Sequence, residues 1–202
     1  MTRYECLKLL APLLKEEDLV VTALGWVAGE WHSVRPAESN LYQINMGMCA
    51  PVCLGLALTL PHRRVIGLES DGSTLMYLGN LTTLGNKKPP NLTIVVFDNQ
   101  CYQATGGLPT ATAGSTDLAG IAKCAGIQHA REVKTAHEFE EEARAALARQ
   151  ALSYIVAKVE MAGKRMSTGM DGKESKYHFV RYIEKTEGIK IITSAAKRVG
   201  DV

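Results

Sequence analysis

The residues best placed to do chemistry lie in Val65-Ile66-Gly67-Leu68-Glu69-Ser70-Asp71-Gly72-Ser73-Thr74-Leu75-Met76, an apolar strand pattern running into a tight turn and then a helix. Ser70, Gly72 and Ser73 are small, so their backbone N–H groups can approach a phosphate at the helix start, where the helix dipole favours an anion. Asp71 puts a carboxylate beside that position. A diphosphate carrying a hard divalent ion accounts for the pairing, because Mg²⁺ takes oxygen ligands, one or two of them commonly from protein. Taken alone, the segment is equally well explained as an ordinary Asp-Gly turn with Ser70 or Asp71 capping a helix.

A second segment favours the first reading. The next apolar strand, 92–97, ends in Asp98-Asn99-Gln100-Cys101-Tyr102, which puts Asn99 28 positions beyond Asp71. If the two strands are parallel neighbours, Asp71 and Asn99 stand side by side and both can offer oxygen to one ion.

The elements that must position these residues are legible from the period of the apolar residues. Cys6, Leu9, Leu10, Leu13 and Leu14 form one helical face, and Leu19–Ala23 reads as a buried strand ending at Gly25. Strand 41–44 precedes a helix over 48–60, and strand 65–68 precedes a helix over 73–84. Strand 92–97, a glycine-bearing loop, a short helix over 117–124, strand 127–130, an amphipathic helix over 136–150 and strand 154–159 follow. Six short apolar strands alternating with helices predict an α/β fold, a doubly wound, mainly parallel six-stranded sheet with helices on both faces. Ligands of such sheets bind at the carboxyl ends of the strands, so the segments after residues 23, 44, 68 and 97 are the ones to search. The domain is expected over 1–160. Beyond it, 161–202 reads as a mobile loop around 163–172 followed by a helical tail over 177–185.

Composition narrows the partners. A net charge of +2 with 22% charged residues supplies no broad field for nucleic acid or an anionic membrane. The longest apolar run, 50–60, is too short to span a bilayer. Five cysteines without a C-x-x-C pair predict reduced thiols and a soluble cytoplasmic protein. His62, His129, His137 and His178 lack metal-ligand spacing. Glu30, Trp31 and His32 read either as a substrate-facing cluster or as the surface of an amphipathic helix.

An Asp-Gly turn followed by a hydrophobic strand ending in Asn resembles the cofactor motif of thiamine-diphosphate enzymes. From Thr22 to Thr110 the chain is similar to the cofactor domain of sulfopyruvate and phosphonopyruvate decarboxylases. The resembling segments are Leu24-Gly25-x-x-x-x-Glu30, Met46-Gly47-x-x-x-Pro51-x-x-x-Gly55-Leu56-Ala57-Leu58, Ser70-Asp71-Gly72-Ser73-x-Leu75-Met76-x-Leu78-Gly79, Pro90-Asn91-Leu92 and Thr105-Gly106-Gly107-x-Pro109-Thr110. Carried over by position, the resemblance implies that Asp71 and Asn99 give side-chain oxygens, and Cys101 its carbonyl, to Mg²⁺. Ser70, Gly72 and Ser73 would hold the diphosphate of thiamine diphosphate, with Gly25 close to it. Met46, otherwise a core methionine, would be the apolar wedge beneath the bent cofactor, and its N–H and the Ile44 carbonyl would contact the aminopyrimidine. Ser70 and Asp98 depart from the usual Gly-Asp-Gly and Asn-Asn. Asp98 adds negative charge near the metal.

The resemblance also implies an activating glutamate on a pyrimidine-binding domain for which 202 residues leave no room. It therefore implies a partner subunit, a dimer of heterodimers, an apolar interface around 46–56 and a small 2-oxoacid substrate. The chain alone would then be inactive. The motif reports the cofactor and not the acceptor, so a carboligase or 2-hydroxyacyl lyase subunit, or a non-catalytic regulatory subunit, is the alternative.

Overall fold

The structure is a computed structural model that describes residues 1–163 and 165–192; the end of the expected tail lies outside the described residues. Among the described residues eight α-helices and eight strands follow one another in the order α1 (Arg3–Leu10), β1 (Leu19–Ala23), α2 (Trp26–Val34), β2 (Asn40–Ile44), α3 (Cys49–Thr59), β3 (Val65–Ser70), α4 (Asp71–Met76), α5 (Asn80–Lys87), β4 (Leu92–Asp98), β5 (Cys101–Tyr102), β6 (Leu108–Pro109), α6 (Leu118–Cys124), β7 (His129–Val133), α7 (Ala136–Ala148), β8 (Ser153–Lys158) and α8 (Gly172–Glu187). Six strands form one parallel sheet in the order β2-β1-β3-β4-β8-β7, and β5 and β6 form a small antiparallel hairpin.

The composition of each strand explains its place. Every residue of β1 and β4 is buried, as continuous apolar runs require in a sheet covered on both faces. The edge strand β7 instead exposes Arg131 and Glu132. Helices α1, α2 and α7 pack together on one face, and α3, α5 and α6 on the other. The opposite edge, β2, is covered by α8, which buries Phe179 and Ile183 and accepts the Tyr42 N–H on Ser175 Oγ at 2.9 Å. The strand order reverses direction between β1 and β3, so the crevice expected at such a switch point opens over the carboxyl ends of β1, β3 and β4.

The sheet agrees with the sequence reading, and several elements differ in informative ways. The helix expected over 73–84 is two helices. Tyr77 leaves helical geometry at φ −143°, and α5 restarts after Gly79. The strand expected at 127–130 begins two residues later. Gly126 adopts φ +97° and the Ile127 N–H returns to the Ala122 carbonyl, so Ile127 closes the end of α6 instead of entering the sheet. The tail helix is longer than 177–185 because Asp171 caps it from outside, accepting the N–H groups of Lys173 and Glu174. The loop before it is tied to the sheet by Gln43 Nε2, which donates to Thr168 Oγ1 at 3.1 Å and to the Met170 carbonyl at 3.3 Å. Glu30 and Trp31 are neither substrate-facing nor on a helix surface: both are fully buried, Glu30 paired with Arg3 and Trp31 donating to Asn40 Oδ1. All five cysteines are free thiols.

Candidate functional site

Strands β3 and β4 pair in parallel with Ser70 opposite Phe97, which brings Asp71 and Asp98 level just past the last paired residues and Asn99 one step beyond. Asp71 is completely buried at the first position of α4. Its Oδ2 accepts from Thr110 Oγ1 at 2.6 Å and Thr112 Oγ1 at 3.3 Å. Its Oδ1 is buried and has no hydrogen-bond partner among the described residues. Burial pushes the Asp71 carboxyl above its ordinary range; the Thr110 hydroxyl opposes that shift and the Asp98 charge adds to it. A buried carboxylate oxygen without a donor costs free energy until something positive reaches it.

Asn99 stands half-buried at the end of β4, its Oδ1 accepting from the Cys101 N–H at 3.2 Å and its Nδ2 donating to Gln103 Oε1 at 3.1 Å. Between the two, Gln100 takes the left-handed conformation at φ +61° and turns the chain into the β5–β6 hairpin. The Thr110 N–H bonds the Gln100 carbonyl, so Cys101, paired with Pro109, occupies a non-hydrogen-bonded ladder position. Its own N–H and C=O therefore point away from β6, leaving the carbonyl outside the ladder.

Gly25, Met46, Ser70, Gly72, Asn99 and Cys101 line one solvent-open cleft, with Arg3, Trp26 and Gln103 also on its walls. Gly72 is required there by close packing: a Cβ would come within 2.5 Å of the Tyr102 ring. Three expected residues sit in the wall rather than on the cleft lining: Asp71, Ile44 and Ser73. The Ile44 carbonyl accepts the Leu24 N–H at 2.7 Å, joining the ends of β1 and β2. Ser70 Oγ caps α4 by accepting the Ser73 N–H at 3.2 Å, which occupies one of the N–H groups expected for a phosphate. Ser73 is fully buried and its Oγ accepts the Gly47 N–H at 2.9 Å, while Asn80 Nδ2 donates to the Gly47 carbonyl at 2.9 Å. Together they clamp the turn after Met46, where Gly47 has φ +80° and lies against Tyr77. Glu69 supports the same turn from below. It accepts from Ala50 N and Ser70 N, and burial pushes its carboxyl up to about 7.

The extra charge of Asp98 is balanced within the fold. Asp98 Oδ2 accepts from Lys158 Nζ at 2.6 Å, and its Oδ1 accepts from Thr112 Oγ1 at 2.7 Å and the Gln100 N–H at 3.1 Å. Thr112 thus bridges Asp71 and Asp98. Sequence reasoning missed Thr112, Lys158, Asn80, Gln103 and Arg3. Lys158 was within reach of the rule on strand ends, since β8 neighbours β4, whereas nothing local to Arg3 or Gln103 signals a site.

Leu24, on the cleft lining, is exposed, as are Met48, Met76, Tyr77 and Leu108, and Met76 and Tyr77 lie beside Gly47. Among the described residues no helix is long and apolar enough to cross a membrane.

A doubly wound parallel sheet with a solvent-open cleft at its strand ends, lined by Asn99 and backed by the buried Asp71, defines a ligand-binding α/β domain. The chain belongs to the thiamine pyrophosphate enzyme family, matching its C-terminal TPP binding domain over residues 23–157. Its relatives include sulfopyruvate decarboxylase subunit beta of Methanocaldococcus jannaschii, 32% identical over 186 residues that cover 91% of this chain and 98% of that one. The protein of the same description from Methanothermobacter thermautotrophicus is 39% identical over 128 residues, 63% of this chain and 68% of the relative. Among solved structures, benzoylformate decarboxylase from Polynucleobacter necessarius superposes with a TM-score of 0.68 at 19% identity, over 82% of this chain and 34% of its own. The chain spans about a third of that structure, and the likeness is one of fold.

Proposed function

We propose that this chain is the thiamine-diphosphate- and Mg²⁺-binding subunit of a two-subunit 2-oxoacid decarboxylase of the sulfopyruvate or phosphonopyruvate type. The observation that carries the reading is Asp71 Oδ1, a buried carboxylate oxygen with no donor among the described residues, at the strand end next to that of Asn99. Two side-chain oxygens and the Cys101 carbonyl are the hard ligands Mg²⁺ prefers, and the remaining positions would fall to diphosphate and water. Ser70, Gly72 and Gly25 would receive the diphosphate. The Ser73 hydroxyl hydrogen would turn to it or to Glu69, as its lone pair holds Gly47. Met46, on a turn clamped by Ser73 and Asn80, would serve as the rigid wedge, with its N–H and the second lone pair of the Ile44 carbonyl turned to the aminopyrimidine.

When bound, thiamine diphosphate supplies a nucleophilic carbon and an electron sink for loss of CO₂ from a 2-oxoacid. The protein's share on this chain is to hold the diphosphate end, fix the bend and exclude water beneath Met46. The activating glutamate would come from a pyrimidine-domain partner docked on Met48, Met76, Tyr77 and Leu108. The relation to sulfopyruvate decarboxylase beta subunits supports that assignment, as does the apolar rim. We place the cofactor domain at 1–160, with 161–202 as an appended tail, and the complex in the cytoplasm.

The test is reconstitution. The chain, mixed with a co-purified partner, Mg²⁺ and thiamine diphosphate, is expected to release CO₂ from sulfopyruvate or phosphonopyruvate, and each component alone is expected to release none. Turnover by the single chain overturns the two-subunit reading. Cofactor binding without turnover by the complex favours a regulatory subunit.

A further inference from the structure

The carboxamide of Asn99 has two unlike ends, and only one of them can face a cation. We infer that Gln103 is a positioning residue that fixes which end, and that it is itself oriented by Arg3 and by the Ala162 carbonyl. The inference rests on the cation-site reading above.

Gln103 Oε1 accepts from Asn99 Nδ2 at 3.1 Å and from Arg3 Nη1 at 3.4 Å, while Gln103 Nε2 donates to the Ala162 carbonyl at 3.2 Å. A guanidinium has only donors and a backbone carbonyl only accepts, so a flipped Gln103 amide would set donor against donor on one side and acceptor against acceptor on the other. Gln103 therefore has one favourable orientation. With Oε1 turned to Asn99, the Asn99 amide is polarised in turn: its NH₂ end is committed to Gln103 and its oxygen is left for the Cys101 N–H and for a cation. A flip of Asn99 would present two N–H donors to a cation, which no metal ligand set tolerates.

The far end of the relay is anchored in the interior. Arg3 and Glu30 are buried and form a two-point pair, Nε to Oε2 at 2.7 Å and Nη2 to Oε1 at 3.1 Å. A Cβ at Gly163 would strike Glu30 Oε1, so the chain runs tightly over the pair. The planar fork of arginine, held twice by one carboxylate, has little freedom to leave Gln103. The first helix of the chain, far in sequence from the strand ends, thus reaches Asn99 through one glutamine.

The test is a double-mutant cycle read as the Mg²⁺ concentration needed for half-maximal binding of thiamine diphosphate to the full-length chain, followed by tryptophan fluorescence because Trp26 lines the cleft. Gln103→Met keeps the length and removes the acceptor; it is expected to raise that concentration about tenfold, with the circular-dichroism melt little changed. Asn99→Asp presents oxygen at either end and has nothing to orient. In that background Gln103 Oε1 faces a carboxylate oxygen instead of an N–H, so the added Gln103→Met change is expected to bring no penalty. Equal Mg²⁺ dependence of wild type and Gln103→Met overturns the inference, and so does an undiminished Gln103→Met penalty in the Asn99→Asp background. Failure of the wild type itself to bind with Mg²⁺ overturns the cation-site reading and this inference together.

Discussion

Lys158 Nζ donates to Asp98 Oδ2 at 2.6 Å, from the end of β8 to the end of the adjacent β4. The acidic residue at the position where the resemblance expects asparagine has its own cation, and its charge still adds to the upward shift of the neighbouring Asp71 carboxyl. The pair is asymmetric: Asp98 is buried and Lys158 is about a quarter exposed, with Glu132 at 3.8 Å as a second partner.

That asymmetry predicts unequal mutants. Lys158→Met leaves a buried carboxylate unpaired and is expected to cost about 2–3 kcal/mol, discounted for the exposure of the lysine. Asp98→Asn leaves a lysine that water and Glu132 can satisfy and is expected to cost under about 1 kcal/mol. The double variant is expected to recover most of the Lys158→Met loss. Urea denaturation of the four proteins checks this, and additive losses would contradict the pairing.

Thr112→Val is nearly isosteric and removes the hydroxyl that bridges Asp71 Oδ2 and Asp98 Oδ1. Leaving two buried carboxylates with one donor fewer is expected to cost about 1–3 kcal/mol. Thr110→Val, which removes the shorter bond to Asp71, is expected to cost at least as much. Thermal melts of both variants decide.

Glu69 gives the pH dependence a sign. Burial raises its carboxyl from an ordinary 4.5 to about 7, so between those values the folded chain holds a proton that the unfolded chain has released. Its contribution is fully present below pH 4.5, is lost as pH rises to about 7 and stays lost above, at a cost of about 3 kcal/mol. Denaturant titrations of the ligand-free chain from pH 4.5 to 8 are expected to show that decline, and Glu69→Gln is expected to flatten it.

Met76→Ser and Tyr77→Ser change exposed side chains on the apolar rim. Their melting temperatures are expected to stay within about 3 °C of the parent, because exposed positions carry little folding energy. Co-purification with the partner subunit is expected to fall at least tenfold. Unchanged co-purification would move the interface elsewhere.

The sheet was legible because its strands are short, apolar and punctuated. β1 and β4 are runs that only a two-sided core explains, and Asp71 and Asn99 fall just past the ends of the paired strands β3 and β4 by register alone. Breaks within elements were less legible. The split after Met76 depends on Tyr77 leaving helical geometry while Asn80 reaches back to Gly47, a contact 33 residues away in the chain. Ile127 has the apolar character of a strand residue and the position of a helix stop, and Gly126 before it was the available signal. The supports of the site were the least legible part, although Lys158 falls under the rule on strand ends. Arg3 reaches Gln103 across 100 residues through tertiary packing, and although Gln103 is only four residues from Asn99, no residue pattern there marks it as a support.

The account stands on Asp71 accepting a cation that carries a diphosphate. Isothermal titration of thiamine diphosphate into the full-length chain, with Mg²⁺ or with EDTA, tests it most directly, with Asp71→Asn alongside. Binding in Mg²⁺ that disappears in EDTA and weakens at least tenfold in Asp71→Asn is the predicted result. Binding indifferent to EDTA and to the substitution, or no binding in Mg²⁺, contradicts it.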